Sequence, residues 1–378
     1  MRCNRCIMDS SSDPTMTFDE QGNCNYCREA LINLQNKYFP NEDGEKKLRS
    51  MLEKIKESGK GKKYDCIIGI SGGLDSSYLA YKVSQWGLRT LAIHIDDGYD
   101  TEISKSNIKK LIEKTGFDYE VVAPDAEQFN ALTLAYMRAG VPNIAVPQDN
   151  ILFAFLYKKV KEYKIKYFMS GANWSLESIA QSGNTWRNTD VVNIKDIHKR
   201  FGTKPIDKLE FISTLQRQSD EHLLGTHTVT PLDYIDYNRE RAFSELFDFC
   251  GFEYYGRKHL ENALTAFVQL RWFPEKFNVD KRTWHLSSMI VSCQMSRDEA
   301  LKEIEEPMYN SQQMREYENL IEKNLGITHD ELEKLIKAPA HQHNEYKIED
   351  TSLSFRLYNL VRNIRRKIKY GKVDIGRA

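Results

Sequence analysis

At 378 residues, the chain is long enough for two or three domains and a substantial core. Its 54 basic and 54 acidic side chains cancel, which argues against broad nucleic-acid binding while leaving room for a local patch. The start, MRCNRCIMDSSSD, lacks the apolar stretch of a secretory signal and no later run is long enough to span a membrane, so the expectation is a soluble, cytoplasmic protein.

Four of the seven cysteines fall in two close pairs, Cys3-x2-Cys6 and Cys24-x2-Cys27, with 17 residues between the pairs. Two such knuckles predict one tetrahedral four-sulfur site, with Zn2+ the expected ion and an iron–sulfur cluster the rival. A segment this small buries little core, so the ion would supply its folding energy, about 10–16 kcal/mol for structural zinc. A closed four-cysteine site has no open position, which makes its role structural. Residues 1–40 are therefore read as a four-cysteine zinc-binding module. Residues 41–63, NEDGEKKLRSMLEKIKESGKGKK, read as a charged helix and Gly/Lys linker.

From residue 64 the pattern changes. The apolar runs 64–70, 89–96, 118–125 and 165–171 read as strands, and 104–116 and 149–164 as helices between them. Strands alternating with helices predict an α/β domain over 64–250, built on a parallel sheet with right-handed crossovers. After about residue 235 the strand pattern fades. The segments 238–251, 295–307, 310–326 and 328–339 read as helices, giving a helical region over 251–378. A final amphipathic helix over 352–372 places Leu357, Leu360, Val361, Ile364 and Ile368 on one face and a row of Arg and Lys opposite.

The stretch ISGGLDSS, at the junction of the first strand and its helix, carries the most chemistry. Gly72 and Gly73 let the backbone approach a phosphate, the helix N-terminus attracts the anion, and Ser71, Ser76 and Ser77 add hydroxyl donors. Neither a Walker A Lys nor a GxGxxG fingerprint is present. Asp75 beside phosphate oxygens is repulsive unless a cation lies between them, which predicts Mg2+ there.

SGGLDSS resembles the SGGxDS signature of the PP-loop ATP pyrophosphatases, which cleave ATP between the α and β phosphates, adenylate a carbonyl oxygen and let a nucleophile displace AMP. The resemblance implies ATP as cosubstrate. It implies nucleotide contacts at His94, Ile95 and Asp96 of HIDDG and at Gly171 of SGANWSLES, with Glu177 as a second metal ligand. TPLDY (230–234) resembles a PL-containing segment of the same proteins.

The block 251–309 gathers Lys258, His259, Lys281, Arg282, His285 and Ser287-Ser288 among aromatics. By composition alone it reads as a helical domain with a solvated basic face. Taken with CxRCxMD, FDxxGxCxYC, GxNWSxE, PLDY, KH-x-E, KF-x-x-DKR and HLSS-x-I, however, it resembles the N-acetyl sugar amidotransferase family over roughly residues 1 to 310. That family turns the acetamido group of an activated sugar into an acetamidino group in lipopolysaccharide and flagellin-glycan pathways.

This second resemblance implies a nucleotide-linked N-acetyl sugar as substrate. It also implies glutaminase and cyclase-like partner subunits that deliver ammonia. Lys258, Lys281 and Arg282 would neutralise the α-phosphate and pyrophosphate, and His259 would act as acid/base. Leu260-Glu261-Asn262, Ala263-Leu264 and Cys293 depart from the family pattern, and these departures bear on the sugar accepted more than on the reaction.

Residue 2 is Arg, Cys66 lies in a predicted buried strand, and Cys250 and Cys293 lack a nucleophile-elbow context, so the chain is not expected to make its own ammonia. No nucleic acid is expected as a partner, and the helical tail makes a homodimer the expected assembly. Two alternatives stand beside this reading. One is a PP-loop tRNA-modifying enzyme, a thiolase or lysidine-type ligase. The other is a nucleotide-binding scaffold without turnover, against which the intact SGGLDSS speaks.

Overall fold

The computed structural model describes residues 1–360 except Ser354 and Tyr358. Most of the amphipathic C-terminal helix expected from the sequence lies outside the described residues. The helices and strands in chain order are α1 (Asn25–Lys37), α2 (Glu42–Ser58), β1 (Cys66–Gly69), α3 (Leu74–Gln85), β2 (Thr90–Ile95), α4 (Glu102–Thr115), β3 (Asp118–Val122), α5 (Ala126–Ala139), α6 (Val146–Glu162), β4 (Tyr167–Met169) and α7 (Trp174–Glu177). They continue as α8 (Val191–Phe201), α9 (Thr214–Leu223), β5 (His227–Val229), α10 (Arg239–Cys250), α11 (Ala263–Phe267), α12 (Phe273–Phe277), α13 (Arg282–Val291), α14 (Arg297–Glu305), α15 (Ser311–Leu325) and α16 (His329–Lys337).

The sheet has five strands in the order β3-β2-β1-β4-β5, all parallel. Both faces are covered, and strand alternation shows how. Cys66 and Ile68 of β1 point into the larger core with Ala92 and Met169, while Ile67 points to the other face with Leu91, Ile93 and Phe168 against Leu156 and Val160 of α6. The order reverses at β1, which has β2 on one side and β4 on the other. Ligands bind in such sheets beyond the carboxyl ends of the strands at this switch point.

The expected strands and helices recur as β1–β4, α4, α6, α10 and α14–α16. β5 was not expected: it is three residues long at the sheet edge, with His227 and Thr228 exposed, so it carries no apolar run for a sequence to show. Among the described residues after Gly251, the regular elements are all helices, joined by irregular stretches such as 251–262. Among them a π-helical turn, Val268–Trp272, follows α11, and the Phe273 N–H bonds the carbonyl of Val268.

The N-terminal segment docks on this scaffold. Ile7 packs with Leu286 and Ala300, and its N–H bonds Ser287 Oγ at 3.2 Å. Arg297 donates to the carbonyls of Cys3 and Cys6, each at 3.2 Å. The α2 helix buries Leu48 and Ile55 and so packs on the body. Among the described residues no helix is long and apolar enough to cross a membrane.

Candidate functional site

The glycine loop leaves β1 and turns into α3 at the switch point. Gly72 has φ +75°, and a Cβ there would lie 2.6 Å from the carbonyl oxygen of Ser104. A Cβ on Gly73 would lie 2.4 Å from Glu261 Oε1. Gly72 therefore requires glycine for conformation and approach, whereas at Gly73 the added Cβ would meet mainly the movable end of the Glu261 side chain. Gly73 is the N-cap of α3 and offers no side-chain cap; Tyr255 Oη accepts the Leu74 N–H at 2.8 Å, which leaves the next N–H groups of the first turn for an anion. Ser71 Oγ and Ser76 Oγ lie 3.0 Å apart above it. Ser77, expected beside them, is fully buried with its hydroxyl unpartnered, because the helical turn carries it to the interior face of α3.

Asp75 lies on the first turn of α3. Its Oδ2 is 2.9 Å from the Lys258 ammonium, which is also 2.8 Å from Glu177 Oε1. Tyr237 Oη donates to Asp75 Oδ1, and Asn173 Nδ2 reaches the same oxygen at 3.4 Å. Thus two carboxylates converge on one cation-sized position, and an ammonium stands in it. Burial opposes the Lys258 charge, but Asp75 and Glu177 outweigh it and raise its pKa. Burial likewise opposes ionisation of Glu177, yet Lys258 and His259 hold its pKa below the ordinary value.

His259 adopts φ +64°, a left-handed conformation uncommon outside glycine. Its Nε2 is 3.8 Å from Glu177 Oε1 and its Nδ1 3.9 Å from Glu261 Oε1. The His285 ring lies 5.5 Å away, half-buried, with its shielded Nε2 unpartnered. Burial first, then the charges of Lys258, His259 and Lys281, push its pKa well down and keep the imidazole neutral.

Of these groups, Ser71, Ser76, His259 and Glu261 line a cavity of about 420 Å3, together with His94, Ile95 and Gly171, while Asp75, Lys258 and Glu177 lie outside its lining. His94 is buried at the end of β2, with Nδ1 2.9 Å from the carbonyl of Ile70 and Nε2 2.8 Å from Asp100 Oδ2. Burial opposes its charge, but Asp100 outweighs it and raises the pKa.

Asp96, expected at the nucleotide, instead faces a separate outer hollow with Lys105 and Tyr119. Its neighbour Asp97 enters the cavity wall, accepting from Gln148 Nε2 and, at 3.1 Å, from Asn262 Nδ2. The chain turns sharply after β2, so strand alternation does not tell which of the two carboxylates points inward. Burial, then the charge of Asp100, raises Asp97 to about 6.

Lys281 reaches the cavity, its ammonium 4.9 Å from the Trp284 ring centre. Arg282 does not. It is held 2.7 Å from Asp280 and donates to the carbonyls of Ile304 and Glu306. Being adjacent in sequence, the two point apart as α13 begins.

Sequence reasoning did not assign site roles to Glu261, Tyr237, Asp97, Gln148 or Asp149. The KH-x-E spacing was a signal for Glu261. The PLDY segment turns out to brace α7, since Asp233 Oδ1 accepts the Trp174 N–H at 2.7 Å.

The four N-terminal cysteines are buried, their sulfurs all within 4.8 Å of one another, with Cys3 to Cys27 and Cys6 to Cys24 both at 3.7 Å. Metal–sulfur bonds of about 2.3 Å in a tetrahedron place sulfurs about 3.8 Å apart. The site therefore fits a single tetrahedral ion, whereas a cubane cluster would need the sulfurs spread around eight further atoms. Glu318, Glu322 and His329 also cluster, but Arg271 and Arg315 already supply the cations there.

A glycine loop at the switch point of a parallel sheet, beside a carboxylate–lysine cluster, defines an α/β fold with an anion-binding loop at the carboxyl end of its central strand. Residues 261–364 match the family described as "LPS biosynthesis protein WbpG-like, C-terminal domain". A 119-residue stretch is 29% identical to tRNA-specific 2-thiouridylase MnmA 2 of Fusobacterium nucleatum, covering 29% of this chain and 34% of that protein, so the match spans about a third of the relative's length.

Among solved structures, the chain is similar to NMN synthetase from Francisella tularensis, with TM-score 0.36, 13% identity, and 75% and 97% of the two chains covered. It is also similar to the U34-tRNA thiolase NcsA from Methanococcus maripaludis with its [4Fe-4S] cluster, with TM-score 0.34, 16% identity, and 85% and 88% covered.

Proposed function

We propose that the chain is an ATP-dependent amidotransferase that converts the acetamido group of a nucleotide-linked sugar to an acetamidino group, releasing AMP and pyrophosphate. The observation that carries this reading is that the glycine loop and the WbpG-like segment wall the same cavity: Ser71 and Ser76 on one side, Asn262, Gln269 and Lys281 on the other.

The loop amides and the Ser71 and Ser76 hydroxyls bind the outgoing phosphates. Asp75 and Glu177 would hold Mg2+ only in exchange for the Lys258 ammonium that stands between them, and the ion would supply charge neutralisation at the phosphates when bound. The acetamido oxygen bonds the α-phosphorus as the bond to pyrophosphate breaks. Ammonia then bonds the activated carbon and AMP leaves with the oxygen. An amide oxygen is a weak nucleophile, so positioning and charge neutralisation by Lys258 and Lys281 carry most of the acceleration. His259 is placed to move a proton at the second step.

Cys66 is fully buried and burial pushes its thiol up to about 12, which suits it poorly to a glutaminase nucleophile, so ammonia is assigned to a separate glutaminase and cyclase-like partner. The four-cysteine site is assigned zinc.

The test is pyrophosphate release with Mg2+-ATP and ammonium chloride across UDP- and CMP-linked N-acetylated sugars. Sugar-dependent release, with a product lighter by the difference between O and NH, is the expected result. The stretch similar to a tRNA thiouridylase favours one competing reading, tRNA modification. Pyrophosphate release with tRNA and with none of the sugars would replace the proposal by it.

A further inference from the structure

The cavity has a second polar wall that a nucleotide on the glycine loop does not use. It is built from the first turn of α6 and the π-helical turn after α11, and its polar members are Gln148, Asp149, Gln269 and Lys281. Asp149 is accessible from the cavity, and its carboxylate makes no hydrogen bond and no ion pair among the described residues. Neither the Gln269 amide nor the Lys281 ammonium has a hydrogen-bonding partner among them, although Gln269 is buried. Gln148 spends its Nε2 on Asp97 and turns its oxygen free.

Gln269 is buried, and a buried side-chain amide is ordinarily paired. Desolvation by the surrounding walls, set against the charges of Lys281 and His259, raises Asp149 to about 6. The backbone supports the same point. A π turn inserts an extra residue into a helix, and such turns recur at functional sites. Here the turn delivers Gln269 to the cavity.

We propose that Gln148, Asp149 and Gln269 form the acceptor subsite, which takes the hydroxyl and amide N–H donors of the sugar ring while Lys281 marks its boundary with the nucleotide. This rests on the amidotransferase reading. The chemistry of the wall sets the ligand class. Three side chains present oxygen acceptors and one presents an ammonium, so the wall is complementary to a ligand rich in O–H and N–H groups. Asp149 repels phosphate, which places the nucleotide's phosphates elsewhere. Phe129 and Phe273 on the same wall supply the apolar surface against which a pyranose face packs.

The experiment is calorimetric titration of the full chain, saturated with Mg2+ and the non-hydrolysable analogue AMPCPP, with UDP-N-acetylglucosamine and the wider panel of UDP- and CMP-linked N-acetylated sugars. Asp149→Leu and Gln269→Leu keep approximate side-chain size and remove acceptor capacity. Each is expected to weaken the sugar that binds wild type about tenfold, the value of one lost hydrogen bond, with AMPCPP affinity unchanged. Equal sugar affinity in wild type and both variants would overturn the subsite and leave the amidotransferase reading standing. Loss of AMPCPP binding in both variants would overturn it by assigning these residues to the nucleotide. Binding of AMPCPP with no sugar of the panel bound would overturn the reading and the subsite together.

Discussion

The Lys258 ammonium lies 2.9 Å from Asp75 Oδ2, inside the position where the sequence predicts a metal ion. Both side chains are largely buried, at 16% and 17% exposure, so the pair is energetically committed. Replacing Lys258 by Met leaves Asp75 and Glu177 facing each other without a counter-charge. The expected cost is about 3–5 kcal/mol of stability, as for breaking a buried pair from one side. Millimolar Mg2+ should restore much of it by entering the same position. Thermal unfolding of the variant with and without Mg2+ reads this directly, and a loss that Mg2+ does not touch would show that the carboxylates do not share a metal site.

Gly72→Ala should abolish ATP binding and destabilise by about 1–3 kcal/mol, because the new Cβ meets the backbone of Ser104 and the φ of +75° is unfavourable for alanine. Gly87 has φ +65° with nothing within 4 Å of its Cβ position. Gly87→Ala should therefore cost about 1 kcal/mol and leave ATP affinity intact. Urea unfolding and ATP titration of the pair separate backbone strain from site geometry.

Lys281 and Arg282 are adjacent in sequence and should behave oppositely. Lys281→Met should lower turnover by about 10²-fold, the scale of one lost electrostatic contact at a reacting centre. Arg282→Ala should leave KM for ATP unchanged and cost about 1–3 kcal/mol of stability, since it releases Asp280 and two carbonyls. Kinetics and unfolding on the two variants check the contrast.

The His94–Asp100 pair predicts a pH dependence of stability. The folded-state pKa of His94 lies above its unfolded value of about 6.5. Its contribution is therefore fully present below that pH and is lost as pH rises through the folded value. The stability difference between wild type and His94→Gln should accordingly be largest at acid pH and shrink toward pH 9. Denaturant unfolding across that range measures it, and a difference that grows with pH would refute the assignment.

Zinc at one equivalent per chain, without iron, is the expected metal content. Arg297→Ala should keep that metal and lose about 1–3 kcal/mol through the released carbonyls of Cys3 and Cys6. Stripping the ion should do more: it removes the folding energy of the module and exposes the seam where Ile7 meets Ser287. Metal analysis and hydrogen exchange over residues 1–40 test both statements.

The sequence by itself determined the elements whose signal is local. The apolar runs at 64–70 and 89–96 are largely buried and show as hydrophobic stretches, and α10 and α14–α16 carry their own side-chain N-caps and periodicity. SGGLDSS and the paired cysteines announce their chemistry through spacing alone.

Only the tertiary structure decided which side chains meet. Asp75 and Lys258 are far apart in the chain, and no local pattern says that an ammonium fills the gap between Asp75 and Glu177. Asp97 rather than Asp96 enters the cavity because of the turn after β2, and Lys281 rather than Arg282 because of the start of α13. Asp149 carries no motif, and it becomes visible only when a cavity-lining carboxylate is found without a partner among the described residues. Local periodicity fixes an element and its buried face, whereas the meeting of distant charges depends on how those elements pack, and that packing is set by the whole core at once.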